Sequence, residues 1–396
     1  MLFIKYIYEN YFKKAERTGL SMSGKKMISS EIKRFNRSNI YQQFLCHEAL
    51  TKQNLVSNLQ LCLPTVAKNI DELVADGLVR ESGSQGHTGG RRAVTYSLIK
   101  DAKVALGIDV TMNHVTVVAV DLTGAIIASE RHRKRFEPTE EYYAYVGSTL
   151  EELIRSAGLK EEQILGVGIG LPALVDKDRK SIFYSKIINL SKTTSDDFSR
   201  FIPYKIALFN DAKAAAFTEI WLNRKIKNTF YILLSNNVGG AIVIDGSIYS
   251  GDNQQSGEVG HITLVPGGRK CYCGQLGCVD PYLAATNLSD MTDGNLQEFF
   301  ERLRAGEREL EKTWDSYLDY LASTVNIVHS LMDCDIILGG YVGEYIDVYM
   351  DELRRRTAKL YTFSNDTGYL KTCAYKKESI AAGAALEFIA RFTDSI

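Results

Sequence analysis

The chain predicts an α/β protein: a body in which a strand-rich, helix-flanked unit is built twice, preceded by a small domain of three short helices and a strand pair. Three observations carry this expectation. A hairpin-led series of apolar strands that begins at Val104 recurs from Phe230. Each series is followed by a stretch with helical periodicity. Residues 1–100 carry 15 Lys and Arg against 8 Asp and Glu, while the rest carry 32 against 40, so the net charge of -1 conceals a basic head on an acidic body. Only the head therefore has the charge to meet nucleic acid.

With 396 residues, 45% hydrophobic and 24% charged, the chain can bury more than one core, and two or three domains are expected. Six prolines argue against long disordered linkers. Seven cysteines, an odd number, fit a reducing cytoplasm and thiolate-metal chemistry better than disulfides. No apolar run has the length of a membrane span. Lys5 and Glu9 interrupt the opening apolar residues, so no secretory leader is expected.

Residues 1–36 read as an N-terminal extension and 37–100 as the small domain. Ile40, Phe44 and Leu45 have helical spacing, and Thr51 can cap a second helix carrying Leu55 and Leu59. A third helix begins at Leu63-Pro64, where the missing proline N–H does no harm, and Gly77 stops it. With Val66, Ile70 and Leu73 inward, Thr65, Lys68 and Asn69 are expected to face outward. Strands from Leu78 and from Ala93 to Leu98 flank a loop holding Gly89-Gly90-Arg91-Arg92. That layout is a winged helix-turn-helix: Thr65 and Asn69 are placed to touch base edges, Lys68 a phosphate, and Arg91 and Arg92 phosphates or a minor groove. The competing reading is a helical domain for protein contacts. Lys52 and Arg80 read equally well as solvated surface charges.

In the body, Val104 to Asp109, His114 to Asp121 and Ile126 to His132 read as strands, with Thr123-Gly124 as a hairpin turn. The second copy runs Phe230 to Leu234, Gly240 to Ile244 and Ser247 to Tyr249, turning at Asp245-Gly246. Helices are expected around Glu140 to Ala157 and Trp314 to Met332, the latter placing Tyr317, Leu318, Leu321, Val325 and Val328 in the core. Two mixed sheets flanked by helices, with a cleft between the halves, follow.

One stretch has its own chemistry. Gly257-Glu258-Val259-Gly260-His261 is followed by Cys271-Tyr272-Cys273-Gly274-Gln275-Leu276-Gly277-Cys278. One imidazole and three thiols at this spacing suit a Cys₃His zinc site, His261, Cys271, Cys273 and Cys278, whose four ligands leave no position for an activated water. The zinc is expected to be structural. Three buried free cysteines and a core histidine would be the alternative.

These motifs, together with Gly168-Ile169-Gly170-Leu171-Pro172, Asn189-Leu190, Asn210-Asp211-Ala212, Ile337-Leu338-Gly339-Gly340 and Gly383-Ala384-Ala385, resemble those of the ROK family of repressors, open reading frames and sugar kinases. The resemblance spans about residues 40–390. It implies an actin-like (ribonuclease-H-like) two-lobed body, lobe 1 at 101–225 and lobe 2 at 226–396, behind the winged helix-turn-helix that the repressor branch carries. It further makes Asn210, Asp211, Glu258 and His261 the sugar-binding set, with Asp280 where the family usually has Glu; alone, Asn210-Asp211 would read as a turn or helix cap. His261 can then bind zinc through one nitrogen and a sugar hydroxyl through the other.

Related kinases hold phosphate on an Asp-x-Gly-Gly-Thr turn, where this chain has Asp109-Val110-Thr111-Met112-Asn113, and on a Gly-Thr-Gly turn, where it has Ser235-Asn236-Asn237. Asp211, the general base in the kinases, is thus read here as a sugar ligand, with no catalytic residue assigned. The expected protein is a sugar-responsive transcriptional regulator, a repressor of carbohydrate genes. It would act in the bacterial cytoplasm, at the nucleoid, as a homodimer or dimer of dimers on operator DNA. A sugar kinase that also binds DNA and a regulator that has lost its ligand are the alternatives.

Overall fold

A computed structural model describes residues 29–85, 92–190 and 193–396. The chain divides into two compact units, 1–102 with 390–396, and 103–389. Residues 1–28 of the N-terminal extension and the wing segment 86–91, with Arg91, lie outside the described residues. Among those described, no helix is long and apolar enough to cross a membrane.

The smaller unit contains helices α1 (Ser29–Cys46), α2 (Lys52–Leu59) and α3 (Leu63–Ala75), and strands β1 (Leu50–Thr51), β2 (Val79–Gln85) and β3 (Ala93–Leu98) in the order β1-β3-β2, all antiparallel. Ile40, Leu55, Val66, Ile70 and Leu73 are fully buried and form its core. Thr51 caps α2 as expected: its hydroxyl accepts from Asn54 N at 3.1 Å, while Asn54 Oδ1 accepts from Thr51 N at 2.9 Å. The first helix starts well before Ile40. Its polar opening turns are tied to α3 by Lys33–Glu72 at 2.8 Å and Arg37–Glu72 at 3.5 Å, and Arg37 also pairs with Asp76. Lys52 pairs with Asp71 at 3.2 Å and lies over the Tyr96 ring, so it braces this unit.

The larger unit is mixed α/β and holds two five-stranded sheets. The first runs β10-β7-β4-β5-β6, from strands β4 (Val104–Val110), β5 (His114–Asp121), β6 (Ile126–Arg133), β7 (Ile164–Leu171) and β10 (Ile206–Asn210). Between them lie the short pair β8 (Leu174–Val175) and β9 (Ile182–Tyr184). The second sheet runs β13-β12-β11-β14-β15, from β11 (Thr229–Leu234), β12 (Val238–Ile244), β13 (Ser247–Tyr249), β14 (Asp335–Gly339) and β15 (Leu370–Thr372). Reading β4-β5-β6 against β11-β12-β13, and β7 and β10 against β14 and β15, the two orders are the same. Each is an antiparallel three-strand meander extended by two parallel strands. The internal duplication read from the strand spacing is present in the topology.

Burial accounts for the strand patterns. All seven residues of β4 are buried at the centre of its sheet, whereas edge strand β6 alternates between half-buried and exposed. Helix α4 (Glu140–Ser156), capped by Thr139, packs Tyr142, Val146, Leu150 and Leu153 into the first core with Leu106, Ile108 and Val167. The last helix, which begins at Ser379, lies on the opposite face so closely that a side chain at Gly107 would strike the Ala381 backbone, and one at Gly168 that of Ala384. Part of the glycine pattern therefore serves helix-on-sheet contact. The long helix Arg308–Met332 buries Tyr317, Leu318, Leu321, Val325 and Val328 in the second core, as its spacing predicts.

Candidate functional site

Asn210 ends β10 in register with Leu171 and caps the helix Asp211–Leu222 that follows. Its Oδ1 accepts from Lys213 N at 3.0 Å, and its Nδ2 donates to the Ala173 carbonyl at 3.2 Å. The helix-cap reading and the binding-residue reading thus fall on one side chain. The cap sets Asp211 as the first helical residue, where its carboxylate accepts from Ala212 N at 2.7 Å. Burial, and then the nearby Asp109 and Glu258 carboxylates, push its pKa up to about 7.

From lobe 2, Gly257 to His261 lies against β12, where Gly257 and Gly240 approach so closely that a side chain on either would hit the other's carbonyl. This contact seats Glu258 and a 3-10 turn, Val259–His261, at the cleft. Burial raises the pKa of Glu258, opposed by Lys213, whose ammonium donates to Gln254 O at 2.8 Å. Asn210, Asp211, Glu258 and His261 line one cavity of about 440 Å³, with Tyr272, Asn237 and the backbone of Gly239 and Gly240. That volume is within the range of small-molecule sites, about 300–1,000 Å³.

The cysteine loop forms the adjoining wall. Cys271 N donates to Gln275 O at 2.9 Å and Gly274 N to Cys271 O at 2.9 Å, closing the turn on itself. His261 Nδ1 lies 3.8 Å from Cys271 Sγ, Cys273 Sγ lies 3.8 Å from Cys278 Sγ, and the four ligand atoms all lie within 4.8 Å of one another. The set could hold a metal ion. Burial pushes the Cys271 thiol up to about 12, the state a bound cation reverses. None of the seven cysteines is in a disulfide. The outward nitrogen of His261, Nε2, meets the Tyr272 hydroxyl at 3.1 Å instead of open cavity.

Two expected site residues stand elsewhere. Asp280 does not line the cavity: it is 5% exposed, and its carboxylate accepts from Val238 N at 2.7 Å, fixing the start of β12 from behind. Burial raises its pKa to about 6, against hydrogen bonds from Val238 and Asn237. Its short side chain is consumed by that backbone contact. Asn69, expected to face outward on α3, is 3% exposed and donates to Thr65 O at 2.8 Å. The helical period explains this, since residue 69 follows Val66 by three and precedes Leu73 by four, on the same buried stripe. Lys68 and Arg92 are exposed, and Thr65 is half-buried with its hydroxyl 3.0 Å from Cys62 Sγ.

The turn from β4 to β5, where the related kinases hold phosphate, is occupied by its own contacts. Thr111 N donates to His114 O at 3.0 Å, His114 N to the Thr111 hydroxyl at 3.0 Å, and Phe136 N to Met112 O at 2.8 Å. Met112 packs on the lobe 1 core. Behind it Asp109 is 6% exposed, and one of its oxygens has no hydrogen-bond partner among the described residues. Burial pushes its pKa up to about 7 against the pull of Arg131, whose guanidinium lies 5.1 Å over the Tyr341 ring. Neither Asp109 nor Tyr272 was singled out from sequence; Tyr272's place between two cysteines was the available signal.

Residues 105–390 match the model of the ROK family. The xylose repressor of Caldicellulosiruptor bescii is 23% identical over 354 residues, 82% of this chain and 87% of that protein. Among solved structures, a ROK family transcriptional regulator, homologous to the Escherichia coli MLC protein, superposes with a TM-score of 0.69 at 19% identity, covering 92% of this chain and 97% of its own. A ROK family glucokinase from Streptomyces griseus, solved with glucose and AMPPNP, superposes with a TM-score of 0.62 at 21% identity, covering 72% of this chain and 98% of its own. The chain belongs to the ROK family.

Proposed function

We propose that this protein is a sugar-responsive, DNA-binding transcriptional regulator, a repressor of carbohydrate genes. The observation that carries this reading is extent. The glucokinase fold covers 72% of the chain, whereas the regulator fold covers 92%, reaching beyond the body into the basic head. The three helices and three-stranded sheet of that head serve as a winged helix-turn-helix spanning 37–100. In it α3 enters the major groove with Thr65 and Lys68 outward, while Arg91 and Arg92 reach the backbone from the wing. Asn69 is withdrawn from the base-reading set because it is buried.

In the body, lobes 101–225 and 226–396 hold a monosaccharide or simple derivative in the 440 Å³ cavity, through Asn210, Asp211 and Glu258 and the wall built on His261. Carboxylates and an amide suit an array of sugar hydroxyls. The metal is zinc: a tetrahedral ion with Zn–S bonds of about 2.3 Å places its sulfurs about 3.8 Å apart, the separation found between Cys273 and Cys278. It staples the loop. The protein acts as a homodimer, or a pair of dimers, on a palindromic operator in the bacterial cytoplasm.

The kinase reading requires phosphate to be bound at the β4–β5 turn and at Ser235–Asn237. Occupied backbone groups and the Thr111 and Met112 side chains oppose this. The test is selection of bound genomic fragments by the full-length protein, followed by titration with free and phosphorylated aldoses. Release or tightening of a selected fragment by one sugar class is expected. Sugar-dependent ADP release from ATP that vanishes in Asp211→Asn would establish the kinase instead.

A further inference from the structure

We infer that Tyr272, rather than His261, is the group of the metal loop that donates to the sugar, with His261 acting through it. The inference rests on the reading of the cavity as a sugar site. Tyr272 stands between ligands Cys271 and Cys273, lines the cavity, and is 39% exposed, so its ring is reachable from the cleft. Its hydroxyl is 3.1 Å from His261 Nε2, and the two rings meet edge to face with centroids 5.3 Å apart at 70°.

The tautomer decides the direction of that contact. A neutral imidazole has one N–H and one bare nitrogen. Nδ1 is the nitrogen turned to the thiols, 3.8 Å from Cys271 Sγ, so it is the one available to the metal. The ring proton is then on Nε2, which donates to the Tyr272 oxygen. His261 has no second proton to offer a ligand, and the Tyr272 O–H is left free to donate.

The cavity chemistry gives that donor its use. Ionised Asp211 and Glu258 only accept hydrogen bonds, and both protons of the Asn210 amide sit on the nitrogen that binds Ala173 O. A sugar hydroxyl both donates and accepts, so a wall made only of carboxylates would leave ligand oxygens without a donor. The Tyr272 phenol supplies one, and the metal loop holds it in place through His261.

Tyr272→Phe removes the hydroxyl and keeps the ring. Full-length wild type and variant, with zinc content measured in each, are titrated calorimetrically with D-xylose, D-glucose and their monodeoxy series. The expected result is unchanged zinc and a five- to tenfold weaker parent sugar, as for loss of about one hydrogen bond. One deoxy sugar, lacking the oxygen that Tyr272 meets, should bind both proteins equally. Equal affinity of both proteins for every sugar, a uniform loss across the whole deoxy series, or loss of zinc from the variant would each overturn the assignment. A wild type that binds none of these sugars while holding zinc would remove the sugar reading of the cavity, and this proposal with it.

Discussion

Two turns of the larger unit face the same chemistry in the related kinases and have diverged here. On one side Asp211, Glu258 and the Tyr272–His261 pair keep polar atoms turned to a cavity, while their backbones are held by a helix cap, by contact with β12 and by the cysteine loop. On the other, the β4–β5 turn spends its groups on itself: Thr111 bonds His114, Met112 enters the core, and Asp109 is sealed behind them. The difference teaches how a binding site is kept or lost on one scaffold. A side chain stays available to a ligand when other residues satisfy the backbone that carries it. A turn that closes its own hydrogen bonds has nothing left to offer a phosphate.

The largest effect should come from the metal loop. Cys273→Ser, or removal of zinc by chelation, is expected to destabilise the protein by on the order of 3 kcal/mol, read as a lower melting temperature, and to abolish sugar response while operator binding persists. An intact sugar response after verified zinc loss would break the link between staple and cavity. Next, Asp211→Ala should weaken sugar binding by about a hundredfold, as for a charged hydrogen bond of about 1.5–3 kcal/mol. Operator affinity without sugar should be unchanged; calorimetry and gel shift check the two halves.

The sealed side has its own signature. The folded pKa of Asp109, about 7, lies above the ordinary carboxyl value. Its contribution is therefore present at low pH and lost as pH rises through about 7. Asp109→Asn should gain stability relative to wild type between pH 4 and 8, on the order of 2 kcal/mol, by denaturant melts at each pH. A pH-independent difference would mean that Asp109 is not held in its neutral form. In the head, Arg92→Ala should weaken operator binding and reduce the salt slope by about one. Asn69→Ala should lower the melting temperature without changing base preference, and altered base preference would return Asn69 to the reading surface.

Much of this was legible in the residues. The cysteine loop was readable because its chemistry resides in residue types and spacing, and the twin sheets because strand period and turns repeat. Thr51 was readable as a cap from its position alone. Asn69 was misread because the inward stripe was counted from Val66, Ile70 and Leu73 without noting that residue 69 completes it. Asp280 was misplaced because a motif position does not reveal whether its carboxylate reaches the cavity or an N–H behind it. The first turns of α1 lack an apolar period and are fixed by ion pairs to α3, which only tertiary structure supplies. Tyr272 needed the fold of the loop to show which way its ring points.

The central claim is that occupancy of the cavity changes what the head does. The most direct test measures affinity for a selected operator fragment with and without the tightest-binding aldose, in zinc-loaded wild type and in Asp211→Asn. The account predicts a shift of tenfold or more in the wild type and none in the variant. Operator affinity that no sugar alters in the wild type, or a variant that responds as the wild type does, would contradict it.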